Sequence, residues 1–506
     1  MGPSASQPDK KPSYARLSPQ DASFLVYETP DLHMHVGLVA IIESAAFELP
    51  SGEIDVTKFR AYIGSRLQFV PRCRQRLERI PFTKQPVWVD DRHFRIEDHV
   101  LAARVEAPGG NADLQALAGE IFSRKVDRSK PLWQMHVVQG LTRAGQFAVI
   151  AKVHHCMIDG IAGVDFMAAM LTSKPVAEIE LTPRFAAAHT PSRFRLLFDE
   201  ARRLSSAPRK FAALVRQLAQ DPEARTSAWQ RIAALVHLVA SGVRGTPANP
   251  LSAPARARRA IGWTATDRAA ERSVRARLGS TRDDVTLACA AGAARSFLQR
   301  KGARLSRLRI RAMCTMSLRT RAERADLGNR VGMLIVDLPV GEADARVRLQ
   351  RVSDTVLGLK QSKQALGADV LAQIDQWTGT AMQSFGMWLA NTRRAYNLFV
   401  TNIPGPPSAL YALESKLLEI YPIAPIFGGQ HVSVATLSYL GKVHWGVQYA
   451  GDEPAELGRF VADLDTAFAE LAEAAAAAPP RLRVIRAGET AVAEQPALVE
   501  HDGTAG

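Results

Sequence analysis

The sequence predicts an α/β protein made of two large units joined by a long helical connector, and three observations carry that prediction. The chain has 506 residues, more than a single hydrophobic core usually organises. Apolar residues make up 47% and charged residues 23%, a composition that supports a packed core and excludes a disordered chain. Alternating and β-branched apolar runs recur with helical segments between them, and one Pro-rich, basic, Ala-rich stretch interrupts this texture.

Residues 1–13 read as a polar, disordered tail. The first unit, 14–175, carries the runs HMHVGLVAIIE, FRAYIGSRLQFV, PLWQMHVVQGL and FAVIAKVHH. The connector, 176–260, opens in TSKPVAEIELTPRFAAAHTPSRF and turns helical in period: Phe211, Leu214, Val215 and Leu218 share one face, as do Trp229, Ile232, Val236 and Val239. Arginines and a lysine flank both stripes, a pattern that suits a membrane interface, although such stripes more often pack on their own protein's core. The second unit, 261–472, is expected to place strands at LRIRAMCTMSL, GMLIVDLPV, NLFVTNIPG, HVSVATLSYL and KVHWGVQYAG. Residues 473–506, AEAAAAAPPRLRV and beyond, read as a mostly disordered tail, and no short internal period is found.

The net charge of +14 points to an anionic partner: a membrane surface, a nucleic acid or a phosphate-bearing coenzyme. Cys73, Cys156, Cys289 and Cys314 are scattered without metal-site spacing, which fits a reducing cytoplasm. The polar amino-terminal segment lacks the apolar core of a secretory signal, and no apolar run reaches the roughly 20 residues needed to cross a bilayer, so membrane contact is expected to be peripheral.

The segment FAVIAKVHHCMIDGIAG, residues 147–163, carries the chemistry. A buried strand delivers His154 and His155 to a loop, and neighbours on a strand face opposite ways, so the two imidazoles cannot do the same job. An imidazole is suited to take a proton from a hydroxyl at neutral pH, which an alcohol needs before it attacks a thioester. His155 is the expected base. Asp159 can fix the loop or pair with an arginine, and Gly160 lets the backbone turn tightly or approach substrate. Singly, each part has a plainer explanation: a satisfied core histidine, or a common Asp-Gly turn. A zinc site is not expected, because adjacent histidines seldom share a metal and no further ligands stand at suitable spacing.

HHCMIDG at 154–160 matches the His-His-x-x-x-Asp-Gly signature of the bacterial wax ester synthase/diacylglycerol acyltransferases, which the chain resembles from about residue 14 to 470. LSPQDASFL, MHVG, PVWVDDRHFRIEDHV, KPLW, LGNRVG and TNIPGP follow in the family's order. The resemblance implies two chloramphenicol-acetyltransferase-like domains, with acyl-CoA and acceptor channels meeting at the histidines. It also implies transfer of a long-chain acyl group from acyl-CoA to a fatty alcohol or diacylglycerol, with no covalent acyl-enzyme. Acyl-CoA is then a co-substrate, and no cofactor or nucleic acid is required. A cytoplasmic enzyme is expected, peripheral on the membrane's inner face or on lipid inclusions.

By the same resemblance Asp159 is chiefly structural, His154 is supporting or substrate-proximal, Glu28 lies near the active centre and Trp133 is a candidate channel wall. The plainer readings are a solvated helix end for Glu28 and ordinary core for Trp133. One departure stands out: the family usually has Asn-Asp where TRDDVTLACAAG places Asp283. An ionised aspartate cannot donate to an oxyanion. Either Asp283 is held protonated, or Asn402, Ser317 or a backbone N–H is the donor instead, or Asp283 is only a helix cap, the reading favoured from sequence. Asn329 reads as structural, while Arg330 and Arg319 are candidate partners for Asp159.

Two rival readings follow from the same motif. Condensation domains and polyketide-associated acyltransferases share it but take acyl groups from carrier proteins. A noncatalytic lipid-binding scaffold of the same fold is the other alternative. The Asp-Phe-Gly-Trp-Gly motif of plant-type relatives is missing from FGGQHVSVATLSYLGK.

Overall fold

The computed structural model describes residues 14–157, 167, 169–180, 185–220, 246–252, 256–317, 331–361, 395–451 and 453–478. Its architecture is mixed α/β, with two six-stranded sheets and a small three-stranded one.

In the first large sheet the strands run β12 (Tyr411–Ala412), β13 (Ser415–Ile423), β2 (His35–Glu43), β7 (Gln146–His154), β6 (Trp133–Gln139) and β5 (Val100–Arg104). The second orders β10 (Val331–Leu338), β9 (Ile310–Ser317), β11 (Leu398–Ile403), β14 (Val432–Tyr439), β15 (Lys442–Ala450) and β8 (Arg259–Asp267). Every strand run singled out in the second unit is a strand here. What the sequence did not reveal is an exchange: after β11 the chain leaves the second sheet, pairs as β13 with β2 of the first, and returns as β14. An alternating apolar strand has the same pattern whichever sheet accepts it, so patterning cannot show the partner.

Where the two sheets abut, Gly446 of β15 lies against β13, and a Cβ there would sit 1.8 Å from the Pro422 carbonyl oxygen. Only glycine permits that approach. On one face of the first sheet, Val39, Ile41, Ala148 and Ile150 pack with helix α3 (Asn111–Ser123) and with Ile261 and Trp263 of β8. The opposite face contributes Val149, Ala151 and Val153 to a larger core that takes in Met313, Phe399, Ala435 and Leu437 of the second sheet. Helices α1 (Pro19–Tyr27) and α2 (Val56–Arg66) also pack into this shared core.

Within the connector, helix α4 spans Arg193–Gln220. Leu196 joins Ile80, Val87 and Val89 of the small sheet, formed by β1 (Ala15–Arg16), β4 (Pro86–Asp90) and β3 (Gln75–Arg79). The stripe from Phe211 to Leu218 lies on α4, but its apolar side chains and the whole stripe from Trp229 to Val239 fall outside the described residues. Helices α5 (Arg268–Leu278), α6 (Arg282–Arg300), α7 (Ala345–Gln361) and α8 (Pro454–Ala477) cover the second sheet. Because α8 runs to Ala477, the beginning of the expected disordered tail is helix: six consecutive residues of high helix propensity, from Glu473 to Ala478, carry it past residue 473.

Candidate active site

Strand β7 pairs antiparallel with β2 so that His154 stands opposite His35, and β6 sets Trp133 opposite Val153. β7 stops at His154, and His155 opens a single 3-10 turn, His155–Met157. The two rings are therefore separated by the strand end and the turn that follows it, and not by the alternation along one strand expected from sequence.

His154 is sealed, with no exposed surface. Its Nδ1 accepts the Cys156 backbone N–H at 3.2 Å, which leaves Nε2 to carry the proton. That Nε2 faces Glu28 Oε1 at 3.9 Å, and the His35 Nε2 lies 3.7 Å from the same oxygen. Burial, with Arg128 nearby, pushes the His154 pKa down to about 3. It therefore remains neutral at physiological pH.

His155 occupies the shared core instead. Its ring stacks on Phe24 of α1, centroids 4.0 Å apart and planes at 22°, and its backbone N–H donates to the Met34 carbonyl at 2.8 Å. Part of its surface is accessible. Burial lowers its pKa to about 4, and its own carbonyl works weakly the other way. Among the described residues no group makes a standard hydrogen bond to its Nδ1.

Glu28 ends α1 as its C-cap, with its side chain only 2% exposed. The solvated-end reading is thus corrected: the helix end is turned inward, and Arg128 accompanies the carboxylate into the protein. Arg128 donates to Glu28 Oε2 from Nη2 at 2.6 Å and from Nε at 3.0 Å. On the same face of β7 as His154, Lys152 donates to the carbonyls of Ile121 and Arg124, both at 2.7 Å, closing the end of α3. Neither Arg128 nor Lys152 was singled out from sequence, because a lone basic residue near a strand gives no positional signal.

Trp133 is buried, donates from its indole nitrogen to the Cys73 carbonyl at 2.8 Å, and stacks on His99 at 4.7 Å. It packs in the same core as Val153 and Cys156. Asp283 is not the cap of α6. Thr281 is, its Oγ1 accepting the Asp284 N–H while Asp284 reaches back to the Thr281 N–H. The capping-box spacing Thr-x-x-Asp places the cap two residues earlier than expected. Asp283 Oδ1 instead accepts from Asn402 Nδ2 at 2.9 Å, and Asn402 Oδ1 accepts from Thr436 Oγ1 at 3.1 Å. Asp283 and Asn402, treated as alternatives from sequence, are thus brought together. Asp159, Gly160, Arg319, Asn329 and Arg330 lie outside the described residues, as does the Ser317 side chain at the end of β9.

Residues 17–286 match the profile described as the wax ester synthase/diacylglycerol acyltransferase catalytic domain, and residues 327–472 match the WS/DGAT C-terminal domain. The chain belongs to the wax ester synthase/diacylglycerol acyltransferase family. It is therefore an acyltransferase, with an acyl-CoA and an acyl acceptor as the substrate classes of its family. Relatives include a Mycobacterium tuberculosis protein named putative diacylglycerol O-acyltransferase Rv1760, 28% identical over 471 residues and covering 90% of each chain. The probable diacylglycerol O-acyltransferase tgs1 of the same species is 28% identical over 465 residues, covering 90% of this chain and 95% of its own. In fold, the chain resembles the wax ester synthase/diacylglycerol acyltransferase of Marinobacter aquaeolei VT8, with a TM-score of 0.62 at 23% identity over 91% of this chain and 100% of that one. It also resembles the starter condensation domain of rhizomide synthetase RzmA, with a TM-score of 0.54 at 15% identity over 92% and 95% of the two chains.

Proposed function

We propose that the enzyme moves a long-chain acyl group from acyl-CoA to the hydroxyl of a fatty alcohol or a diacylglycerol, with His155 as general base and no resident cofactor. The observation that carries this reading is the division of labour at the end of β7: His154 is locked into the fold, while His155 is neutral and presented in the core shared by both sheets. As a neutral ring, His155 keeps one nitrogen unprotonated as the acceptor. It takes the proton of the alcohol as the oxygen attacks the thioester carbonyl. The tetrahedral intermediate then expels the coenzyme A thiolate, which recovers that proton from His155. The names of the mycobacterial relatives favour diacylglycerol as acceptor, and that of the family profile favours both alcohols. Asn402, with one amide hydrogen committed to Asp283, retains a second as a donor for the oxyanion.

We further propose that the enzyme works at the lipid surface where such acceptors reside, on the cytoplasmic side. Phe194 is 84% and Phe198 68% exposed on α4, one turn apart and opposite the inward-facing Leu196. Arg193, Arg195 and Arg202 are exposed beside them, while Asp199 and Glu200 are engaged by Tyr14 and Arg16. A cationic, aromatic helix face suits an anionic bilayer. No helix among the described residues is long and apolar enough to cross a membrane.

The deciding experiment supplies palmitoyl-CoA with hexadecanol, with dioleoylglycerol and with neither, and follows free thiol and neutral lipid. Acceptor-dependent ester establishes the reaction and ranks the two alcohols. Folded protein that turns over neither favours a carrier-protein donor or the noncatalytic scaffold. Sedimentation with phosphatidylglycerol-containing vesicles tests the surface, and equal binding by the F194S/F198S variant removes α4 from it.

A further inference from the structure

We propose that Arg128 is a positioning residue for the reaction, acting on His155 along two separate paths through the fold. The proposal rests on His155 being the base. Along the first path, Arg128 Nη2 donates to the Leu25 carbonyl at 3.0 Å near the end of α1. One residue earlier on that helix, Phe24 lies flat against the His155 ring. Fixing the end of α1 thus fixes the surface on which the imidazole rests.

The second path runs through charge. Nη2 and Nε of Arg128 both bond Glu28 Oε2, leaving Oε1 directed at the Nε2 atoms of His154 and His35. The other nitrogen of His154 accepts the N–H of Cys156, the residue that follows His155 in the turn. At 3.9 Å the carboxylate faces the His154 ring without a hydrogen bond and acts on it through charge alone, and His154 holds the backbone immediately after the base. The paths leave one guanidinium and converge on one residue from opposite sides, its ring and its backbone.

The chemistry of this arrangement asks for arginine. A single planar group must satisfy a carboxylate and a peptide carbonyl at fixed angles, which lysine's point charge cannot do in the same geometry. Arg128 is about one third exposed while Glu28 is sealed, so the guanidinium gives the buried carboxylate an ion-pair partner that stays charged at neutral pH, which the two imidazoles beside it do not. Removing it leaves a carboxylate between two neutral imidazoles, and the expected response is a proton drawn onto one of them, with loss of the turn's geometry.

The test compares wild type with R128K, R128A, E28Q and H155A, reading thermal midpoint, kcat and KM for palmitoyl-CoA, and the acid limb of kcat/KM against pH. The expected result for R128A is a kcat about 10–100-fold lower, KM within about threefold, and an acid limb displaced upward toward the ordinary histidine range. R128K should recover the thermal midpoint but not kcat, and the R128A/E28Q pair should lose no more than the worse single variant. Wild-type kcat and acid limb in both Arg128 variants would overturn the proposal, as would a loss in R128A that lysine fully restores, since charge alone would then suffice. If R128A does not fold, R128K carries the decision alone. H155A separates the two claims: turnover by H155A sinks the assignment of the base, whereas an inactive H155A with normal Arg128 variants sinks only the positioning role.

Discussion

Strand β7 of the first sheet and strand β14 of the second are both buried along their length, yet β7 encloses Lys152 and His154 where β14 encloses Ser433, Thr436 and Ser438. A buried hydroxyl needs only a carbonyl or amide partner, as Ser433 finds in Ala424 and Thr436 in Asn402. A buried imidazole or ammonium must be discharged or paired, and the fold around β7 does both, lowering His154 to about 3 and Lys152 to about 8. Buried basic groups therefore gather toward the end of β7, while β14 supplies only neutral hydrogen bonds.

The largest effect expected from this contrast is at His155. The H155A variant should fold normally and lose about 10²–10⁴-fold in kcat, the ordinary worth of a placed general base. Near-normal turnover would erase the distinction between the two strands as far as catalysis is concerned.

Acid stability comes next. His136, His155, His431 and His444 are held at about 4 by burial and His154 at about 3, below the usual 6.5. Unfolded histidines bind protons as pH falls through 6.5 while these folded ones do not, so their contribution is complete above that value and is lost on descending toward 4. Each fully uncoupled group costs about 1.4 kcal/mol per pH unit in this window. Urea midpoints at pH 7.5, 6 and 5 should decline steeply, and a flat response would mean the rings are solvated. Three of the five lie on β6 or in the motif, so the first sheet should lose amide-exchange protection before the second.

Smaller effects belong to the second sheet. T281A removes the cap of α6 and should cost about 0.5–2 kcal/mol in chemical denaturation with kcat per folded molecule unchanged. D283N should change kcat by less than about threefold, because an asparagine carbonyl still accepts from Asn402. A larger loss would give the second sheet an electrostatic role that β14 does not suggest.

Much of this was legible in the sequence. Strands such as HVSVATLSY and KVHWGVQYA announce themselves by alternation, and the run FAVIAKVHH marked the strand that ends at His154. Two things were not. Arg128 lies 100 residues from Glu28, and nothing local marks a pair made by tertiary folding. The cap of α6 was misassigned because two aspartates, Asp283 and Asp284, follow close behind Thr281 with similar capping credentials, and only the reciprocal bond of Asp284 picks out the threonine.

The exchanged segment has a mechanical meaning. Between β11 and β14 the polypeptide stitches one half of the enzyme into the other, and β13 is registered on β2 at six positions from Ile42 to Gly37. Halves sewn together in this way cannot swing apart like a clamshell without tearing that seam. Cutting the gene in the connector should yield an amino-terminal fragment whose large sheet lacks β12 and β13, and a carboxy-terminal fragment that keeps the second sheet whole but carries β13 without its partner β2.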